Sequence, residues 1–402
     1  MALKILSVFG TRSEAIKMAP VVKALEGAPG IESIVCVSGQ HRSMLEQVLE
    51  LFDIRPRYDL ALMMANQTLN GLASRLIFSL DDVLSQERPD YVLVHGDTTT
   101  ACAAALAASH RRVRVAHVEA GLRTGNLSSP WPEEMNRRVI DAISDLMFAP
   151  TQSAKANLMA ESQPGRIVVT GDTIIDALYA TTARIDTDPS LRAKLDAQLP
   201  ALDNGKPIVL VTGHRRESFG EGLASICTAL DQLARSGEVQ IVYPVHLNPN
   251  VRTPVRARIG NTPGVHLIEP LDYAAFVRLM QRASIVLTDS RGVQEEAPAL
   301  GKPVLVMRDV TEHPEAVAAG AVRLVGTRTD AIVAGVRALQ GAPGRGAALR
   351  EPVSPDGDGL AAERIVAAIL GQPLNEFGGA RRRREIETAT CAVDPCCAYF
   401  GA

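Results

Sequence analysis

The sequence predicts an α/β protein made of two doubly wound domains that face each other. Three observations lead there. The chain has 402 residues, enough for two domains that each bury a core. Short Val/Ile/Leu runs alternate with longer helical patterns from one end to the other, as in parallel sheets covered on both faces. Charged residues with no place in a core fall just past those runs, at the strand ends where such sheets bind ligands.

In order, "KILSVFG", "SIVCVSG", "YVLVHGD", "VRVAHVE", "LMFAPT" and "IVVTGDT" read as buried strands of the first half. "PIVLVTGH", "QIVYPVH", "GVHLIEP", "SIVLTDS", "PVLVMRD" and "AVRLVG" form the second series. Between them, residues 187–207 are polar and turn-rich and look like the approach to a linker, so the boundary falls near 175–205. The expected division is 1–180, then 181–360, with a helix over 361–375 packing back on the first domain. Residues 376–402, with four consecutive arginines at 381–384 and the cysteine-containing "CAVDPCC", show no amphipathic period and are expected to be a frayed tail.

Composition excludes several classes. Apolar residues are 46% and charged residues 22% of the chain, ordinary for a globular protein, and the net charge of −3 offers no footprint for nucleic acid or anionic lipid. No run approaches the ~20 apolar residues of a membrane span, and "MALKILSVFG" is too short for a secretory signal. Cys36, Cys102 and Cys227 lie in strand- or helix-like segments, where buried free thiols are the rule. A reduced, cytoplasmic chain without metal or other cofactor is the natural reading.

The chemistry gathers at the strand ends. Arg12 follows the first strand, and Lys17 lies in the first turns of the next helix, with Ser13 as the expected N-cap. The two cations and the positive helix end favour a phosphate, although solvated charges at an ordinary turn fit the residues too. Asp97 follows "VLVH" and is either an N-cap or a cleft residue. Glu119 closes the next strand, where a buried carboxylate without a partner would be costly. Glu133 follows in a proline-rich turn with the only tryptophan. Three carboxylates converging from separate loops would suit proton transfer to and from carbon. The second half supplies His214 and Arg215 after a strand and His246 after another. A lone histidine is usually structural, but two at equivalent strand ends weaken that reading. In "TDSRGVQEEAP" a strand turns into a helix in the manner of a phosphate-binding turn, with Arg291 between Ser290 and Gly292. G-x-G-x-x-G after the first strand, the P-loop and H-E-x-x-H are all absent, which disfavours nicotinamide cofactors, P-loop ATP hydrolysis and zinc peptidase chemistry.

The two-domain layout resembles the nucleotide-sugar enzymes of the glycosyltransferase-B type. In that likeness Ser290, Gly292 and the helix N-terminus hold a diphosphate, and Glu296 reaches the ribose hydroxyls. More specifically, "VHGDTTT", "HVEAGLRTG", "PWPEEMNRR", "GHRRESFG", "VYPVHLNPNV", "QEEAP" and "EHPEAV" occur in the order found in the bacterial non-hydrolysing UDP-N-acetylglucosamine 2-epimerases, which the chain resembles over roughly residues 3 to 370. The resemblance implies two Rossmann-like domains around a closing cleft and a homodimer. It also implies epimerisation at carbon 2 of UDP-N-acetylglucosamine through loss and re-addition of UDP. Asp97, Glu119 and Glu133 then become the acid–base candidates, and His214 lies near the diphosphate. Arg12, Lys17, Phe276, Ser290, Gly292 and Glu296 hold UDP. Gln40, Glu133, Arg215 and His246 match an activator site, while Ser43 stands where a longer side chain is usual. Arg291 replaces a family glycine and His313 a family arginine, which suggests that Arg291 restores the missing charge from the other side of the site. The alternatives are a hydrolysing enzyme that releases N-acetylmannosamine and UDP, and a catalytically weakened UDP-sugar binding protein.

Overall fold

Thirteen of the strands divide into two wholly parallel sheets. The computed structural model describes residues 2–39, 42–64, 67–311, 314–340, 353–379 and 381–382. The first sheet contains β1 (Leu3–Phe9), β2 (Ile31–Val37), β3 (Tyr58–Asp59), β4 (Tyr91–His95), β5 (Arg114–Val118), β6 (Leu146–Ala149) and β7 (Arg166–Val169), in the order β3-β2-β1-β4-β5-β6-β7. The second contains β8 (Ile208–Thr212), β9 (Gln240–Pro244), β10 (Val265–Ile268), β11 (Ile285–Thr288), β12 (Val304–Val306) and β13 (Val322–Leu324), in the order β10-β9-β8-β11-β12-β13. A two-residue antiparallel pair joins β14 (Val353–Ser354) to β15 (Arg381–Arg382).

Every strand of the two series anticipated from the sequence is present. They are legible because both sheet faces are covered, so central strands such as β4 are buried at all five positions. β3 was not anticipated: two residues carry no apolar run, and it exists only as an edge partner of Cys36 and Val37. In each sheet the winding reverses at one place, between β1 and β4 and between β8 and β11. Chain leaving those strands opens a crevice at their carboxyl ends, the place where open α/β sheets bind ligands.

The first helix, Arg12–Gly27, is capped by Thr11 and not by the expected Ser13. Thr11 accepts from the Glu14 N–H at 3.2 Å, and the Glu14 carboxylate accepts from the Thr11 N–H at 2.8 Å. This reciprocal capping box requires an acid three residues after the cap, and only Thr11 has one. Glu14 is buried and also accepts from the Thr98 hydroxyl at 2.7 Å, which ties the loop after β1 to the loop after β4. A side chain at Gly10 would collide with Ser38 Oγ, so these loops close only around glycine.

The chain separates into one unit of Met1–Ala177 with Asp356–Gly379, and a second of Leu178–Pro355 together with β15. The division falls within the helix Thr173–Thr187. The stretch expected as a linker holds a further helix, Pro189–Asp196, because Asp188 caps it and Pro189 fits its first turn. In the first unit the helix Ala361–Ile369 packs on Arg12–Gly27. Arg364 holds it in place, clasping Asp358 at 2.6 Å on both nitrogens and donating to the Thr170 and Asn375 carbonyls. Of the expected tail 376–402, residues 376–379 and 381–382 are described, and the cysteine-containing stretch lies outside the described residues. Phe377 is buried and its N–H donates to the Val169 carbonyl at 2.9 Å, while Glu376 pairs with Lys155.

Asp176 accepts from the Ala362 N–H at 2.8 Å and so caps that helix from outside it. Burial pushes its carboxyl up to about 7, against the pull of the helix N–H groups. The folded state therefore binds more protons than the unfolded chain between its ordinary 3.8 and about 7, and stability falls as pH rises through that window. Asp176→Asn keeps an acceptor for Ala362 and should flatten this fall. Urea denaturation at pH 5 and pH 8 should show the variant gaining on wild type at the higher pH.

Candidate functional site

In the first unit, the carboxyl ends of β1, β4, β5 and β7 carry a compact set of charges. Glu119 follows β5 in the left-handed backbone region, with φ of 67°, a conformation that costs a non-glycine residue about 1–2 kcal/mol. Its carboxylate pairs with the Lys17 ammonium, which also donates to Asp172 at 2.9 Å. His95, the last residue of β4, brings Nε2 to 3.3 Å from the same Glu119 carboxylate. All four side chains are nearly buried. Lys17 was expected to hold a phosphate, but here it lies between two carboxylates, which offset the cost of keeping it charged. Asp97 pairs with Arg137, and its carbonyl accepts from Asn136 at 2.8 Å. It does not cap the following helix; Thr98 does.

Glu133 opens the helix Glu133–Ala142, and its Oε2 is buried with no hydrogen-bond partner among the described residues. Its neighbour Glu134 is wholly structural. It accepts from the Thr124 and Gly125 N–H groups at 3.0 and 3.3 Å and pairs with Arg137 and Arg138. Arg12 is the first residue of its helix and is half-buried.

The second unit repeats the principle with different residues. Asp289, just past β11 and fully buried, accepts from the backbone N–H groups of His214 and Arg215 at 2.8 and 2.9 Å, and lies 3.2 Å from His214 Nδ1. Burial pushes its carboxyl up, but these His214 and backbone contacts more than offset that and hold it below its ordinary value. The loop after β8 is thus strung on one carboxylate from the strand beside it. His246 stacks on His214 with centroids 5.5 Å apart and 19° between planes. Its Nδ1 accepts from the Asn248 N–H, and burial followed by the neighbouring His214 lowers its pKa.

Ser290 caps the helix Arg291–Ala299, with φ of −78° and no side-chain bond to the helix. Arg291 is its first residue and does not adopt positive φ, so the glycine-to-arginine change carries no backbone cost there. Its guanidinium reaches one turn forward along the helix to Glu295 at 3.4 Å. A side chain at Gly292 would meet only Glu296 Oε2, at 3.9 Å. Glu296 accepts from the buried Tyr273 hydroxyl at 2.9 Å, and Phe276 is half-buried one turn along the same helix as Tyr273. Gln40 and His313 lie outside the described residues, so the proposed exchange of charge between Arg291 and His313 has no geometry here.

The sequence groups Glu119 with Asp97 and Glu133 and sets His214 and His246 at equivalent strand ends, but it places Lys17 at a phosphate and gives no role to His95, Asp172 or Asp289. A signal existed for two of these: "VTGDT" repeats the strand-end aspartate of "VHGDT", and "IVLTDS" places Asp289 at a strand end. Among the described residues no group of three or more His, Cys, Asp or Glu is placed to hold a metal ion, and no helix is long and apolar enough to cross a membrane.

Two parallel sheets, cation-paired carboxylates at the switch point of one and a histidine–arginine loop beside a helix N-terminus at that of the other are the arrangement of an α/β enzyme of the nucleotide-sugar type. Residues 23–370 match the family model described as UDP-N-acetylglucosamine 2-epimerase. UDP-N-acetylglucosamine 2-epimerase of Escherichia coli K12 is 52% identical over 93% of this chain and 100% of its own, and that of Salmonella typhimurium LT2 is 53% identical over 91% and 98%. The crystal structure of UDP-GlcNAc 2-epimerase from Neisseria meningitidis bound to UDP-GlcNAc superimposes with a TM-score of 0.85 at 47% identity, covering 92% of this chain and 100% of that one. The Methanocaldococcus jannaschii enzyme in complex with UDP-GlcNAc and UDP gives 0.76 at 31% identity, with coverage of 92% and 100%. The chain belongs to the UDP-N-acetylglucosamine 2-epimerase family.

Removing the Asp289 carboxylate would leave two backbone donors and His214 without their acceptor. Asp289→Ala should therefore cost about 2–4 kcal/mol in chemical denaturation, while Asp289→Asn, which keeps one acceptor, should cost less.

Proposed function

We propose that this chain interconverts UDP-N-acetylglucosamine and UDP-N-acetylmannosamine by reversible epimerisation at carbon 2. A base takes the carbon 2 proton. The C–H electron pair becomes the C1–C2 double bond of a glycal, and the C1–O pair leaves with UDP. For return, a proton is delivered to the opposite face of carbon 2 while the UDP oxygen re-forms the bond at carbon 1. No electron leaves the substrate, so no redox cofactor is required.

The observation that supports this reading best is the placement of Asp97 and Glu119 on the adjacent loops after β4 and β5, each clasped by a cation. Removal and delivery on opposite faces need at least two proton carriers, and Glu133, whose buried Oε2 has no hydrogen-bond partner among the described residues, is assigned as a further carrier. In the second unit His214 directs Nδ1 at Asp289, which leaves Nε2 for the diphosphate; Arg215, Ser290, Arg291, Gly292 and the N–H groups opening the helix Arg291–Ala299 complete that unit's anion-binding set. Glu296 and Phe276 are assigned to the ribose and uracil. Arg215 and His246, both in the second unit, are assigned to the activator.

We further propose a homodimer formed in the cytoplasm. The first unit carries an apolar groove of about 500 Å³ lined by Leu69, Ile77, Leu106, Trp131 and Met135, with Phe78 and Trp131 exposed at 77% and 65%. A second copy covering this face would remove that surface from water. Phe78→Glu combined with Leu69→Glu should then give a monomer by light scattering, whereas a dimer of unchanged mass would refute this face as the contact.

Substrate incubated in deuterated water should gain deuterium at carbon 2 of both sugars. Accumulation of free N-acetylmannosamine in step with UDP would instead support hydrolysis, which family membership does not favour. Asp97→Asn, Glu119→Gln and Glu133→Gln should each lower kcat by about 10²–10⁴-fold while UDP affinity by calorimetry stays near wild type.

A further inference from the structure

His117 lies in the middle of β5 with no exposed surface, and together with Asp141 it joins the framework of both strand-end loops. Its Nε2 is 2.7 Å from the Gly96 carbonyl, one residue before Asp97. Its Nδ1 is 2.6 Å from Asp141 Oδ1. The other Asp141 oxygen accepts from the Gly121 N–H at 3.3 Å, two residues after Glu119, and from Arg123 at 2.8 Å. Asp141 stands on the helix that Glu133 opens, so three elements carrying candidate carboxylates meet at one His–Asp pair. Burial pushes the Asp141 carboxyl up, but His117 and Arg123 more than offset this and keep it anionic. A carbonyl and a carboxylate can only accept, so the imidazole is the donor of the pair it makes with each.

From this geometry we infer that His117 and Asp141 are positioning residues of the epimerase reaction, holding Asp97, Glu119 and Glu133 in register with one another. The inference rests on the acid–base roles proposed above. Neither residue reaches substrate; both act through the loops they tie. The loop after β5 needs such a tie, because Glu119 and Gly121 both have positive φ and a side chain at Gly121 would strike the Ala154 carbonyl. A displacement of about 1 Å at a reacting group costs on the order of 10²-fold in rate.

The test uses His117→Gln, Asp141→Asn and the double variant. Glutamine that donates its amide N–H to the Gly96 carbonyl turns its oxygen toward residue 141. Alone it faces a carboxylate in the wrong pairing; with asparagine at 141 both bonds can re-form. Each single variant should lose about 10²-fold in kcat and in the rate of deuterium entry at carbon 2, with KM and UDP affinity within about threefold of wild type. The double variant should recover above either single. UDP binding and the thermal midpoint report folding independently of rate. A folded single variant with wild-type kcat, or a double variant whose loss is the product of the two single losses, would overturn the inference. If wild type itself introduces no deuterium at carbon 2, the reaction assignment fails and not the positioning role alone.

Discussion

A parallel sheet buried on both faces leaves no room for unpaired charge along its strands, and the rest of this molecule follows from that constraint. Reactive groups must stand where strands end, and the ends that open outward are those where the winding reverses. In the first sheet these are β1 and β4, in the second β8 and β11. Lys17, Asp97 and Glu119 lie on chain leaving the first switch point or the strand beside it, and His214, Asp289 and Arg291 on chain leaving the second. The topology thus selects which loops can do chemistry before any side chain is chosen.

Charge at those ends is kept by local compensation. Lys17 sits between Glu119 and Asp172, Arg137 between Asp97 and Glu134, Arg123 between Asp141 and Glu161. Each cation serves two carboxylates from different elements, so it carries geometry as well as charge. The second unit uses a carboxylate instead, with Asp289 gathering donors from a neighbouring loop. A loop organised by donors around an acid leaves its remaining donors pointing outward, which suits an anion. Loops organised by cations leave carboxylate oxygens, which suit proton transfer.

Much of this was legible in the sequence. Long Val/Ile/Leu runs announce doubly covered strands because burial on both faces erases alternation, and charged residues after such runs announce the site. What escaped has physical reasons. Thr11, Arg12 and Ser13 are all polar, and only the reciprocal bond with Glu14 selects Thr11 as the cap. His117 and Asp141 stand 24 residues apart, and a histidine inside an apolar strand reads as a core residue until its two partners are seen. Arg291 stands where the family has a glycine, and only the backbone shows that the helix begins at this residue without positive φ and so accepts any side chain there. The polar stretch near 190 hid a helix, since Asp188 and Pro189 are turn residues and helix starters alike.

The burial of Phe377 against β7 gives the first unit an unusual dependence on translation. Its side chain contributes about 2–3 kcal/mol by area alone, and it closes a segment that also supplies Asp358 and Arg364. Domains generally fold as units in the order in which the ribosome releases them. Here the seven-stranded sheet is made well before the helix that packs on it, with Leu178–Pro355 of the second unit in between. The first unit therefore cannot be fully enclosed until most of the second has been synthesised.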